Sequence, residues 1–263
     1  MNDIEKMTPR EIRGLFRQNL RVAPTAGLAK GYAQANLAMM PKALAFDFMM
    51  FAQRNPKPCP ILDVIEAGTT EPTMMAPGAD IRTDIPQYRI YQHGKLTAEV
   101  TDIQEYWRED LVGFLLGCSF TFETALLNAG LPVRHLEEHC NVPMYITNFA
   151  CKPAGVFHGP MVVSMRPMPQ EMLIRAIQVT SRFPAVHGAP VHIGDPGLIG
   201  IKDLARPDFG DRVTIHPGEV PVFWACGVTP QAVAMAMKPE IMITHAPGFM
   251  FICDVRDEEL AVF

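Results

Sequence analysis

Arg166, His192, Asp195, Cys226 and His245 each stand at or near the end of an apolar run of strand length in the second half of the chain, over residues 159–166, 189–195, 220–226, 241–245 and 249–254. An arginine at a strand end offers a planar fork that suits a carboxylate. His192 alternates with Val191 and Ile193, and Asp195 precedes Pro196 at a turn, so a histidine base oriented by a carboxylate is one reading. A core histidine bonded to backbone, beside a turn aspartate, is the plainer one. His245, followed by Ala-Pro-Gly248, has the same strand-end character. Arg82 and Arg89 are two further arginines that could hold a substrate carboxylate, and a salt bridge is the alternative for each.

Three short motifs add to this set. Cys118-Ser-Phe-Thr-Phe-Glu123 reads as a helix start where Ser119 caps, backbone N–H groups favour an anion and Glu123 suits the helix dipole. Cys226-Gly-Val-Thr-Pro-Gln231 reads as a strand-turn-helix junction capped by Thr229. Cys226 could act there as an activated nucleophile, although a buried thiol is the preferred reading. His135-Leu-Glu-Glu-His139 matches an inverted zinc-peptidase pattern. Pro132 and Pro143 confine it to about two turns, however, and no third ligand is evident, so no metal site is expected.

The elements that must position these groups read as an α/β chain. Thr8-Pro9-Arg10-Glu11 forms a capping box that opens a helix over 8–20, and Pro41 starts a second one. Tyr88–Val100 reads as a hairpin with a Gly94 turn. In the second half, strands alternate with helical patterns from Pro169 and Thr229. That rhythm predicts a mixed, mostly parallel sheet flanked by helices, with a smaller α+β subdomain. The expected organisation is one compact unit over 1–263, built of two α/β subdomains with the α+β part near 60–150. Strand carboxyl ends would then gather the polar residues named above.

Composition narrows the function classes. The 263 residues are 48% hydrophobic and 19% charged, as in a globular chain with a sizeable core. A net charge of −5 with no basic run argues against nucleic acid as a partner. No apolar stretch approaches a membrane span, and the first residues carry no signal-peptide pattern. Six cysteines without C-x-x-C spacing suggest buried thiols in a reducing cytoplasm. Seventeen methionines are compatible with a buried interface, so a homo-oligomer is the expected assembly.

Asn55-Pro-Lys-Pro-Cys-Pro60, Cys118–Glu123, Asn141-Val-Pro-Met-Tyr145, the run 158–167 and the run 187–196 together resemble the bacterial hydro-lyase family. That family is similar to the D-glutamate cyclase domain of a larger mitochondrial protein. The resemblance extends from about Thr8 to Val255. It implies a two-part α/β fold and elimination of water from a small acid; for the cyclase, D-glutamate closes to 5-oxo-D-proline. No residue role is carried over from it. On the chain's own residues, Arg166 would hold the α-carboxylate and His192 would take a proton from the ammonium group. Glu123 or Asp195 would protonate the leaving oxygen, and N–H groups near Ser119 or Thr229 would stabilise the oxyanion. The scheme requires no cofactor. A non-catalytic small-carboxylate binding protein is the alternative from another class, and a zinc hydrolase using His135 and His139 is a third.

Overall fold

A computed structural model describes residues 4–262. One sheet holds seven strands. These are β1 (Tyr32–Pro41), β2 (Ile61–Ile65), β3 (Tyr88–Gln92), β4 (Lys95–Val100), β5 (Leu111–Gly117), β10 (Met242–His245) and β11 (Phe251–Arg256). Its order is β2-β5-β1-β10-β3-β4, with β11 also on β1. The second sheet holds β6 (Met144–Ala150), β7 (Pro160–Pro169), β8 (His192–Ile193) and β9 (Glu219–Ala225) in the order β6-β7-β9-β8. Among the described residues the helices are α1 (Pro9–Arg17), α2 (Lys42–Arg54), α3 (Glu123–Asn128), α4 (Arg134–Glu137), α5 (Leu173–Ser181) and α6 (Thr229–Met237).

Every strand pair in both sheets is antiparallel, so the expected mostly parallel sheet is incorrect. The physical reason lies in the connections. The helix α6 leaves β9 in one sheet and delivers the chain to β10 in the other, so these elements form no βαβ unit. Between α5 and β9 lies a long excursion through β8, which returns the chain to lie antiparallel to β7. Alternation of strands and helices sets the rhythm of a chain but not the direction of its return. Strand carboxyl ends therefore do not gather along one edge.

Local signals hold better. Thr8 and Glu11 form the capping box of α1, and Pro41 stands at the N-cap of α2. The Tyr88–Val100 segment is the β3–β4 hairpin. The helix start read at Cys118–Glu123 is a 3-10 turn (Ser119–Phe122) leading into α3. The strand-length run read over 189–195 is reduced to the two residues of β8.

Apolar clusters pack the helices and loops onto the two sheets. One face of the large sheet carries Ala38, Met40, Phe114 and Leu116 against Phe48 and Phe51 of α2 and Val233 and Ala234 of α6. The other face packs Ala35, Leu37, Ile90 and Ile243 under the loop that carries Met75 and Ile81. On the small sheet, Met168, Val222 and Trp224 face α3 and α5, while Val163, Met165 and Phe223 face the other way. Cys118, Met144, Val162, Cys226 and Val228 join the two sheets.

Candidate functional site

Side chains of β7 alternate between the two faces of the small sheet, and Ser164 and Arg166 fall on the face that carries α3 and α5. Arg166 is fully buried. A buried guanidinium is tolerable only when its donors are met. Nη1 donates to Ser164 Oγ at 3.2 Å, Nη2 to Ser119 Oγ at 3.0 Å and Nε to Glu123 Oε1 at 3.1 Å. Nη2 also reaches Glu123 Oε1 in a short contact. The rings of Phe122 and Trp224 both lie 5.5 Å from its Cζ. Two motifs distant in sequence thus meet: the 118–123 turn supplies the carboxylate, one hydroxyl and one ring, and β7 supplies the arginine.

Glu123 opens α3 and is buried. Burial pushes its carboxyl up, but the His135 and Arg166 charges beside it outweigh burial and hold it below the usual carboxylate range. His135, on α4, stacks on Phe120 with ring centroids 5.9 Å apart. Its Nε2 stands 3.1 Å from Glu123 Oε1, within ion-pair distance. The angle is not that of a hydrogen bond, so Nε2 has no hydrogen-bond partner. Glu123 Oε2 has none either.

A cavity of about 30 Å³ adjoins this centre, lined by Glu123, Gln34, Phe120, Tyr32 and residues 27–30 among others. Gln34 is buried on β1 and is clamped beside Glu123: its backbone N–H donates to Thr121 Oγ1, which in turn donates to the Gln34 carbonyl. Its side-chain Oε1 is also unpartnered. Unsatisfied buried polar atoms are uncommon, and here Gln34 and Glu123, each with one such atom, line the same small cavity.

Asn36, two residues along β1, donates to the Gly117 carbonyl at 2.7 Å. A Cβ on Gly227 would stand 2.0 Å from Asn36 Nδ2, so any larger residue at that junction must displace the buried amide. His187 lies close enough to feel the Arg166 charge; burial first, then Lys57 and Arg166, lower its pKa to about 4. It is therefore neutral at pH 7.

The remaining residues singled out in the sequence take other places. His192 pairs with Phe223 on the face of the small sheet opposite Arg166, and its Nε2 contacts the Asp195 carbonyl at 2.7 Å. Asp195 is exposed and caps a 3-10 turn through the Gly197 N–H at 2.8 Å. Neither reaches the arginine. His245 is buried against the backbone of Leu37, whose N–H donates to Nδ1 at 3.1 Å, and burial lowers its pKa to about 4. Burial pushes the Cys226 thiol up to about 11, the opposite of an activated nucleophile. Thr229 Oγ1 donates to the Cys226 carbonyl at 2.7 Å and accepts from the Val162 N–H at 3.0 Å, tying α6 to β7. Arg89 pairs with Glu99 at 2.7 Å, and Arg82 pairs with Asp80 at 2.8 Å. Ser119 does not cap its turn; Cys118 Sγ does, and Ser119 faces Arg166.

Gln34, Asn36, Ser164 and His187 stand outside the candidates legible in the sequence. A usable signal was present for the first two: amides two residues apart in an otherwise apolar run share one strand face. In the sequence His135 reads only as one half of a metal pair with His139. The helix α4 is a single turn, and His139 is exposed while His135 is buried, so the two do not converge. Among the described residues no three His, Cys, Asp or Glu side chains are grouped to hold a metal ion. Among them, too, no helix is long and apolar enough to cross a membrane.

The profile of a family described as D-glutamate cyclase matches residues 112–254, the stretch that contains Ser119, Glu123, His135, Ser164 and Arg166. Curated relatives match along nearly the whole chain. A "putative hydro-lyase" of Geobacillus kaustophilus (strain HTA426) is 67% identical over 97% of this chain and 97% of its own length. One from Thermoanaerobacter sp. (strain X514) is 68% identical over 98% and 97% respectively. One from Bacillus subtilis (strain 168) is 65% identical over 97% and 100%.

Proposed function

Because the chain belongs to the D-glutamate cyclase family, we propose that it is a lyase that releases water from a small acid at the centre formed by Arg166, Glu123 and His135, and that its reaction is closure of D-glutamate to 5-oxo-D-proline. The observation that carries this reading is a buried guanidinium whose carboxylate partner keeps one oxygen without a hydrogen bond, beside a histidine whose Nε2 stands 3.1 Å from the other oxygen. Groups with opposed protonation needs, held together out of water, are suited to acid–base work.

In this scheme the α-carboxylate of the substrate takes part of the Arg166 fork from Glu123. The Glu123–His135 pair accepts a proton from the substrate ammonium. The freed amine attacks the side-chain carboxyl carbon, so a C–N bond forms and a C–O bond breaks. The oxygen leaves as water with two protons that began on the ammonium, and the ledger closes on the substrate's own atoms. Ser119 and Ser164 each accept from Arg166, which leaves their O–H groups to donate to the developing oxyanion. The cavity of about 30 Å³ is smaller than such a substrate, so the site must open for it to bind.

The test is incubation with D-glutamate and with L-glutamate, followed by chromatography for 5-oxoproline. The expected result is turnover of the D form that disappears in a folded Arg166→Lys variant, where the fork is lost. Turnover unchanged by Arg166→Lys would remove this centre from the reaction. Absence of 5-oxoproline from both enantiomers would remove the glutamate reaction. A second reading, a non-catalytic small-carboxylate binding protein, draws on the closed state of the site and predicts binding of such acids without conversion.

A further inference from the structure

We propose that Gln34 and Glu123 form an ammonium subsite, so that the centre selects an amino acid over the corresponding hydroxy acid; the inference rests on the reading of Arg166 as the carboxylate anchor. Gln34 is 3% exposed and Glu123 is 3% exposed, and both line the cavity of about 30 Å³. The Gln34 amide cannot turn to suit a different ligand. Nε2 donates to the Thr25 carbonyl at 3.0 Å and to the Leu28 carbonyl at 3.2 Å, which commits the nitrogen end and leaves Oε1 as an acceptor. Oε1 has no partner, and neither does Glu123 Oε2.

Two buried acceptors around one small space call for a group that donates to both. An ammonium carries three N–H donors and a positive charge that complements the Glu123 carboxylate. A hydroxyl carries a single O–H, so one acceptor stays unmet, and a keto oxygen meets neither. The volume suits a single head group of about the size of water. Gln34 therefore acts as a specificity-determining residue: it reads the amino group while Arg166 reads the carboxylate.

The experiment is isothermal titration of the full chain with D-glutamate and with D-2-hydroxyglutarate, which differ only at this group. The wild-type protein is expected to bind the amino acid roughly ten- to a hundredfold more tightly, the range for one buried acceptor left unmet. Gln34→Met should reduce that ratio at least roughly tenfold by weakening the amino acid alone. The ligand comparison on the wild-type protein stands whether or not Gln34→Met folds. Equal affinity of the wild type for the two acids, or no binding of D-glutamate, would overturn the subsite. An unchanged ratio in folded Gln34→Met, with both ligands lost in Arg166→Lys, would overturn the subsite and leave the Arg166 anchor standing. Both ligands retained in Arg166→Lys would instead remove the anchor.

Discussion

Replacing Arg166 with methionine tests whether the centre is as dry and as coupled as its geometry states. The wild-type guanidinium makes bonds to Glu123, Ser119 and Ser164 and lies 5.5 Å from each of two aromatic rings. Methionine keeps the ring contacts but removes the charge, leaving Glu123 buried with only His135 beside it. Breaking a buried pair by removing one partner costs about 3–5 kcal/mol, mostly as uncompensated charge. That cost depends on pH. Without Arg166, burial dominates and the carboxyl is expected to rise above its unfolded value, so the Glu123–His135 pair binds an extra proton in the folded state. A folded state that binds the additional proton gains stability as pH falls. The loss relative to wild type should therefore be about 3–5 kcal/mol at pH 8 and smaller by at least about 1 kcal/mol at pH 5. Glu123→Gln is the control: it leaves a guanidinium that cannot shed its proton, so its cost should not ease in acid. Urea denaturation of the three proteins between pH 5 and 8 reads both effects. A loss under about 1 kcal/mol that does not change with pH would refute the description of a desolvated ion cluster.

Stability of the wild-type protein should also fall in mild acid. His187 and His245 are buried with pKa values lowered to about 4. Between their ordinary value of about 6.5 and about 4 the unfolded chain binds more protons, so stability present above that window is lost as pH falls through it. Each histidine contributes up to about 3 kcal/mol, and a urea midpoint that stays flat from pH 7 to 4 would contradict this. Gly227→Ala should cost about 2–4 kcal/mol, because its Cβ meets Asn36 Nδ2 at 2.0 Å and forces the amide off the Gly117 carbonyl. Adding Asn36→Ala should recover part of that loss in a double-mutant cycle, whereas strictly additive losses would show that the two sites do not touch.

Much of the site could be read from residue order, and much of its setting could not. Ser119 and Glu123 share one motif and Arg166 ends an apolar run, and the fold brings them together through a carboxylate–guanidinium contact. Their meeting needs no particular strand direction, because Arg166 points inward from the middle of β7. The grouping of His192 and Asp195 with Arg166 did depend on direction. It assumed parallel strands with aligned ends, whereas antiparallel pairing of β8 with β9 puts His192 opposite Phe223 on the far face. Strand alternation alone would place His192, but only once its register with β9 is known. His135 was hidden for a different reason: its short pattern suggests a pairing with His139, while its true neighbour is Glu123, twelve residues upstream. Gln34 and Asn36 share one face of β1, but β1 lies mid-sheet and is buried on both faces, so no apolar–polar alternation along the rest of the strand marks that face.

The most direct test of the reaction centre is D-glutamate turnover by wild type, His135→Gln and His192→Gln, each shown to be folded. The structure places His135 beside Glu123 and His192 on the outer face of the small sheet. Formation of 5-oxoproline is expected to fall by roughly a hundredfold or more in His135→Gln and to stay near wild type in His192→Gln. Retained turnover in His135→Gln with loss in His192→Gln would contradict it and move the reaction to the opposite face of the sheet.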